Sequence, residues 1–104
     1  MSDKFISPKP LPTAHEREIL TMLIEECAEI QQRATKLIRF GRDEIQEGQD
    51  LTNAQRLADE ILDFMLVLGF VKELNLVDYA PFLEDMHRRH QKKLKYIQSK
   101  RDDI

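Results

Sequence analysis

The residues able to do chemistry sit in two short stretches. "IEECAEIQQR", Ile24 to Arg33, carries Glu25, Glu26 and Glu29, and "EILD" carries Glu60 and Asp63. A spacing of three sets two side chains on one side of a helix. Glu26 and Glu29 therefore share a face on one helix, and Glu60 and Asp63 share a face on another. Asp63 is the only ionisable residue from Ile61 to Val71, so its apolar surroundings predict burial. A buried carboxylate is paired, neutralised or metal-bound. A second acidic pair cannot neutralise it, and four facing carboxylates repel unless cations lie between them. Hard divalent cations with oxygen ligands, Mg2+ first, resolve that conflict.

The same face continues upward. Met22, Glu26, Glu29, Arg33, Lys36 and Phe40 follow one another at gaps of four and three. Acids with bases one to two turns higher suit a metal-bound polyphosphate, with the cation bridging carboxylates and phosphate oxygens. Arg33 or Lys36 would neutralise the remaining charge. Each half also has a plain reading. Glu25, Glu26 and Glu29 read as a solvated face in which Glu29 pairs with Arg33, and Asp63 reads as a carboxylate satisfied by Arg or Lys. The two matched pairs together favour the metal site.

The elements that must position these residues are helices. The chain has 104 residues, 41% hydrophobic and 34% charged, with a net charge of -3 and no tryptophan. That is one small globular domain whose field does not recruit nucleic acid. Residues 1–12 hold three of the four prolines and read as an extended N-terminal arm. Residues 13–104 read as a single all-α domain. Thr13 and Glu16 form a capping-box signature that opens a helix from Ala14 to Phe40, and Gly41 stops it. Its expected buried seam is Leu20, Leu23, Cys27, Ile30, Ala34 and Leu37. "GRDEIQEGQDLT" reads as a loop. A second helix starts at Thr52 or Asn53 and runs to about Leu74, and "ILDFMLVLGFV" within it is apolar nearly all round. Asp78 is expected to cap a third helix with Pro81 in its first turn, and with Leu83, Met86, His90, Leu94 and Ile97 on one side. Three helices cannot cover the second one completely. Homo-oligomerisation is therefore expected to complete a four-helix or larger bundle, as a homodimer or homotetramer.

Other chemistries find little support. The longest uncharged run, Phe64 to Val71, is too short to span a bilayer. The start lacks the apolar core of a signal peptide, and the single Cys27 fits a reducing, cytoplasmic setting. Cys27 reads as a small core hydrophobe rather than a nucleophile. The glycines at 41, 48 and 69 match no phosphate-cradling loop.

The ordered pair "EECAE" and "EILD" resembles the EExxE…ExxD signature of the all-α nucleoside triphosphate pyrophosphohydrolases. The MazG-like branch is the nearest match; the superfamily also includes phosphoribosyl-ATP pyrophosphatases and dimeric dUTPases. The resemblance covers about Leu20 to Leu74. It implies that Glu26, Glu29, Glu60 and Asp63 hold Mg2+, with Mn2+ as a substitute. It implies that Glu25 and Glu26 act in catalysis, Glu25 by orienting a ligand or polarising the attacking water. "KLIRFG" also resembles small MazG-like members and places Lys36 and Arg39 beside Arg33 as phosphate contacts. The implied reaction cleaves a (d)NTP between its α- and β-phosphates to (d)NMP and pyrophosphate, as in housecleaning of the nucleotide pool. The loop from Gly41 to Leu51 is longer than usual in the family, which leaves base and sugar open.

Two alternatives stand beside this. One keeps the chemistry with phosphoribosyl-ATP as substrate. The other is a non-catalytic helical dimer that binds nucleic acid through "HRRHQKKLKYIQSKR", seven Lys/Arg without an acid. An acidic chain without a recognition motif favours a solvated face there, so nucleic acid is not the expected partner. His87 and His90, one turn apart, read as a surface pair.

Overall fold

Both long helices begin at a threonine that satisfies orphan backbone donors. The computed structural model describes residues 10–97. In α1 (Ala14–Phe40), the Thr13 hydroxyl accepts the Glu16 N–H at 3.1 Å, and the Glu16 carboxylate accepts the Thr13 N–H at 2.8 Å. In α2 (Asn53–Glu73), Thr52 and Gln55 repeat this reciprocal cap at 3.1 and 2.9 Å. Such boxes set where each helix starts. At the end of α1, Gly41 takes φ 87°, and its N–H still bonds to the Leu37 carbonyl at 2.9 Å. At the end of α2, Asn75 takes φ 54°, with N–H bonds from Asn75 to Lys72 and from Leu76 to Val71. That is a Schellman closure with asparagine in the glycine position.

α1 and α2 lie against each other as an antiparallel hairpin. The expected seam of α1 is covered only in part: Leu20, Leu23, Ile30, Ala34 and Leu37 are half-buried, and Cys27 alone of the six is exposed. Ile19 is buried, and Met22, Glu26 and Arg33 are half-buried. α1 has one neighbouring helix, so its covered face stays half-buried and takes in Glu26 and Arg33 at its edge. The core is correspondingly small: Ile19, Val67 and Val71 are its buried apolar residues among those described. Asp63, expected to be buried, is exposed, as are Leu62, Met65 and Leu66 beside it. α2 is covered on one side only, which leaves its opposite apolar face open.

The loop between the helices is not slack. Asn53, 1% exposed, donates its side-chain amide to the Gly41 carbonyl at 2.9 Å and to Glu44 Oε1 at 3.1 Å. Its backbone N–H bonds to the Glu44 carbonyl, and the Ala54 N–H to the Arg42 carbonyl. The loop's first residues are thus tied to the first turn of α2.

The third helix differs from its expected start. A short 3-10 helix, Ala80–Asp85, comes first, with Pro81 at its beginning and Tyr79 rather than Asp78 at the cap position. α3 (Met86–Tyr96) follows. Among the described residues, α3 packs on that 3-10 helix and not on the hairpin. The three helices are present, but within one chain they do not close into a bundle. The radius of gyration, 19.1 Å, exceeds the ~13 Å of a closed domain of this length. The N-terminal arm lies mostly outside the described residues; Pro10 to Pro12 are exposed and irregular. No described helix is long and apolar enough to cross a membrane.

The asparagine tie yields a stability test. Asn53→Ala removes a buried donor and leaves two acceptors without it, a loss of about 1–3 kcal/mol. Urea denaturation should show that loss. An unchanged midpoint would mean that the loop holds its place without the tie.

Candidate metal centre and adjoining polar pocket

The hairpin brings three of the four expected ligands together, Glu26, Glu60 and Asp63; Glu29 is exposed and lies outside that trio. α1 supplies Glu26 and Glu29, and α2 supplies Glu60 and Asp63. Carboxylate oxygens of Glu26, Glu60 and Asp63 lie within 4.8 Å of one another. Hydrogen bonding to Glu29, then burial, then the charges of Glu29, Glu26 and Asp63 push the Glu60 carboxyl up to about 7. Glu26 is also held above the ordinary range, first by burial and then by the charges of Glu29 and Asp63, against a hydrogen bond with Glu60 that lowers it. Carboxyls this close can share protons or share a cation.

Unsatisfied atoms mark the same spot. Glu26 Oε2 and Glu60 Oε2 are shielded from solvent and have no hydrogen-bond partner. Buried polar atoms are normally satisfied, so orphaned ones are places for a water or an ion; Asn53 Oδ1 in the loop tie is orphaned likewise. The donor set is all carboxylate oxygen, which fits a hard divalent cation such as Mg2+ or Mn2+. Asp63, exposed, leaves an open side for entry. Exposed acids also gather without a cation, so the orphaned oxygens carry more weight than the clustering.

Beside the acids lies a polar pocket of about 330 Å³. Glu29, Gln32 and Arg33 of α1 form one wall, and Arg56, Asp59 and Glu60 of α2 form the other. Gln49 and Leu51 of the loop complete it. Arg33 Nη1 is shielded and without a partner. Lys36 and Arg39 do not line this pocket. They sit at the C-terminal end of α1, with Lys36 Nζ 5.5 Å and Arg39 Cζ 4.9 Å from the centre of the Phe40 ring. Glu25 is exposed and outside the trio of converging oxygens.

Sequence reasoning passed over Gln32, Gln49, Arg56 and Asp59. Arg56 had a signal: it precedes Glu60 by four, as Arg33 follows Glu29 by four. Gln49 and Leu51 had none, since a loop without periodicity does not say which way it folds back. No family model, curated protein or solved structure matches this chain.

The proton on Glu60 gives a pH test. An unfolded glutamate titrates at 4.5 and the folded one at about 7. The folded metal-free chain therefore keeps a proton that the unfolded chain has released between those values. Its contribution to stability is full below 4.5 and is lost as pH rises through 7. The denaturation midpoint of the metal-free protein should fall between about pH 5 and about pH 8, and Glu60→Gln should flatten that fall. Parallel profiles for the two proteins would refute the raised titration of Glu60.

Proposed function

We propose that the protein is a Mg2+-dependent, MazG-like nucleoside triphosphate pyrophosphohydrolase that splits (d)NTP into (d)NMP and pyrophosphate. The observation that carries this is the meeting of the two motif halves: Glu26 from one helix comes within 4.8 Å of Glu60 and Asp63 from the other. A solvated face would have no need of that convergence, nor of oxygens shielded without partners.

In this reading Glu26, Glu29, Glu60 and Asp63 hold the cation. Bound there, Mg2+ supplies charge neutralisation of the triphosphate and a water of lowered pKa. Glu25 and Glu26 are the candidates to orient the attacking water and take up its proton. Arg33, unpaired and facing the pocket, neutralises phosphate oxygens. Lys36 and Arg39 are drawn toward Phe40 and would reach substrate only by leaving that ring.

The reading includes self-association. Ile24, Leu62, Met65 and Leu66 are each more than half exposed, an apolar surface that a second copy of the hairpin would cover. The nucleic-acid alternative keeps the exposed basic α3, yet two of its cations are engaged within the chain. Arg88 pairs with Asp85 at 3.1 Å, and Arg89 lies over Phe82.

Two experiments test this. Pyrophosphate release from canonical and damaged NTPs and dNTPs should require Mg2+, stop on chelation, and fall about 100-fold or more in Asp63→Asn with the helical signal retained. Hydrolysis by Asp63→Asn at the parent rate would remove the metal assignment. In sedimentation, the wild-type chain should have the mass of two or four copies and Leu66→Glu that of one. A monomeric wild type would end the oligomer reading.

A further inference from the structure

The polar pocket holds a second arginine on the wall opposite Arg33. Arg33 follows Glu29 by four residues on α1, and Arg56 precedes Glu60 by four on α2. Four residues are one turn, a rise of about 6 Å. α1 runs toward the loop and α2 runs away from it. Both arginines therefore stand one turn nearer the loop than the Glu29–Glu60 contact. Gln49 and Leu51 of the loop also line the pocket.

Neither arginine is neutralised. Among the described residues no carboxylate lies within salt-bridge distance of Arg33 or Arg56, although Asp59 lines the same pocket. Arg33 Nη1 has no partner, and Arg56 is steadied from the side by a 2.7 Å bond from Nη1 to Gln46 Oε1. Two guanidiniums without ion-pair partners lining one pocket repel, so the pocket has an anion-seeking end and, at the acids, a cation-seeking end. A polyphosphate with its own divalent cation satisfies both ends at once.

We infer that Arg56, with Arg33, binds the two terminal phosphates that leave as pyrophosphate, so that the triphosphate lies along the pocket with its tail under the loop. The inference rests on reading the site as a triphosphate hydrolase. It places the nucleoside toward the opposite, open end of the hairpin, away from Gln49 and Leu51. The long loop then holds the leaving group and takes no part in choosing the base.

Calorimetric titration of the full chain with inorganic pyrophosphate in Mg2+ tests this, alongside Mn2+ titration without phosphate. Arg56→Gln should weaken pyrophosphate binding about tenfold or more and leave Mn2+ binding unchanged. Arg56→Lys keeps the charge but loses the planar fork, so it should fall between; it carries the test if Arg56→Gln does not fold. Pyrophosphate binding by Arg56→Gln at wild-type strength overturns the inference. So does a loss of Mn2+ binding in the same variant, which would make Arg56 a residue of the scaffold, and so does a wild type that binds no pyrophosphate. Arg56-dependent pyrophosphate binding by a chain that hydrolyses no nucleotide would leave the anion site standing and end the hydrolase reading. Hydrolysis undiminished in Arg56→Gln would do the reverse.

Discussion

One buried amide sets the register of the molecule. Asn53 ties the first turn of α2 to Gly41 and Glu44, at the point where α1 has just ended. In a helical hairpin, register decides which turns oppose each other. A slip of one residue moves a side chain about 1.5 Å along the axis and swings it about 100° around it. Such a slip would carry Glu60 away from Glu26 and Glu29. The small core does not hold register alone, because its buried apolar side chains are few and of similar shape. The polar tie is directional and supplies what apolar packing there lacks.

What that register brings together is unfavourable in the metal-free chain. Like charges are set at one level of two facing helices, and the cost shows as a carboxyl that keeps its proton near neutrality. Residues there give up packing for a chemical arrangement, the pattern expected where a site rather than a core has shaped the sequence. The arginines one turn away do not relieve the strain, since they make no ion pair with the acids. Opposite charges thus lie side by side in one groove, uncancelled by each other.

Much of this was legible in the sequence, for local reasons. Thr13 with Glu16, Gly41, and Thr52 announce helix ends through neighbours a few positions away, and those ends fall where the pattern places them. The matched spacing of Glu26 with Glu29 and Glu60 with Asp63 tells which side of each helix they share. What periodicity cannot show is how much of a helix is covered. An apolar run reads as buried, yet Asp63 and Leu66 are open because the chain supplies α2 with one neighbour. Cys27 failed as a core residue for the same reason. The roles of Asn53 and Gln49 depend on a loop folding back over a turn that follows it, a contact that no repeat or alternation encodes. The third helix is entered through a 3-10 turn, Ala80–Asp85, with Pro81 in its first turn and Tyr79 rather than Asp78 before it, a tighter path that helical periodicity does not encode.

The separation of α3 from the hairpin bears on the order of assembly. Every residue of the acidic cluster and of its pocket lies between Glu26 and Asp63, on two helices joined through a loop of a dozen or so positions. Contacts so close in sequence form early, and loops of about ten residues close in about 10–100 ns. The hairpin can therefore present its carboxylates while the chain is still solitary. On the proposed reading, a divalent ion would meet Glu26, Glu60 and Asp63 from one polypeptide, with no second copy required. The proposed association would then take place around a groove already formed, which separates the arrangement of its side chains from the concentration of the protein.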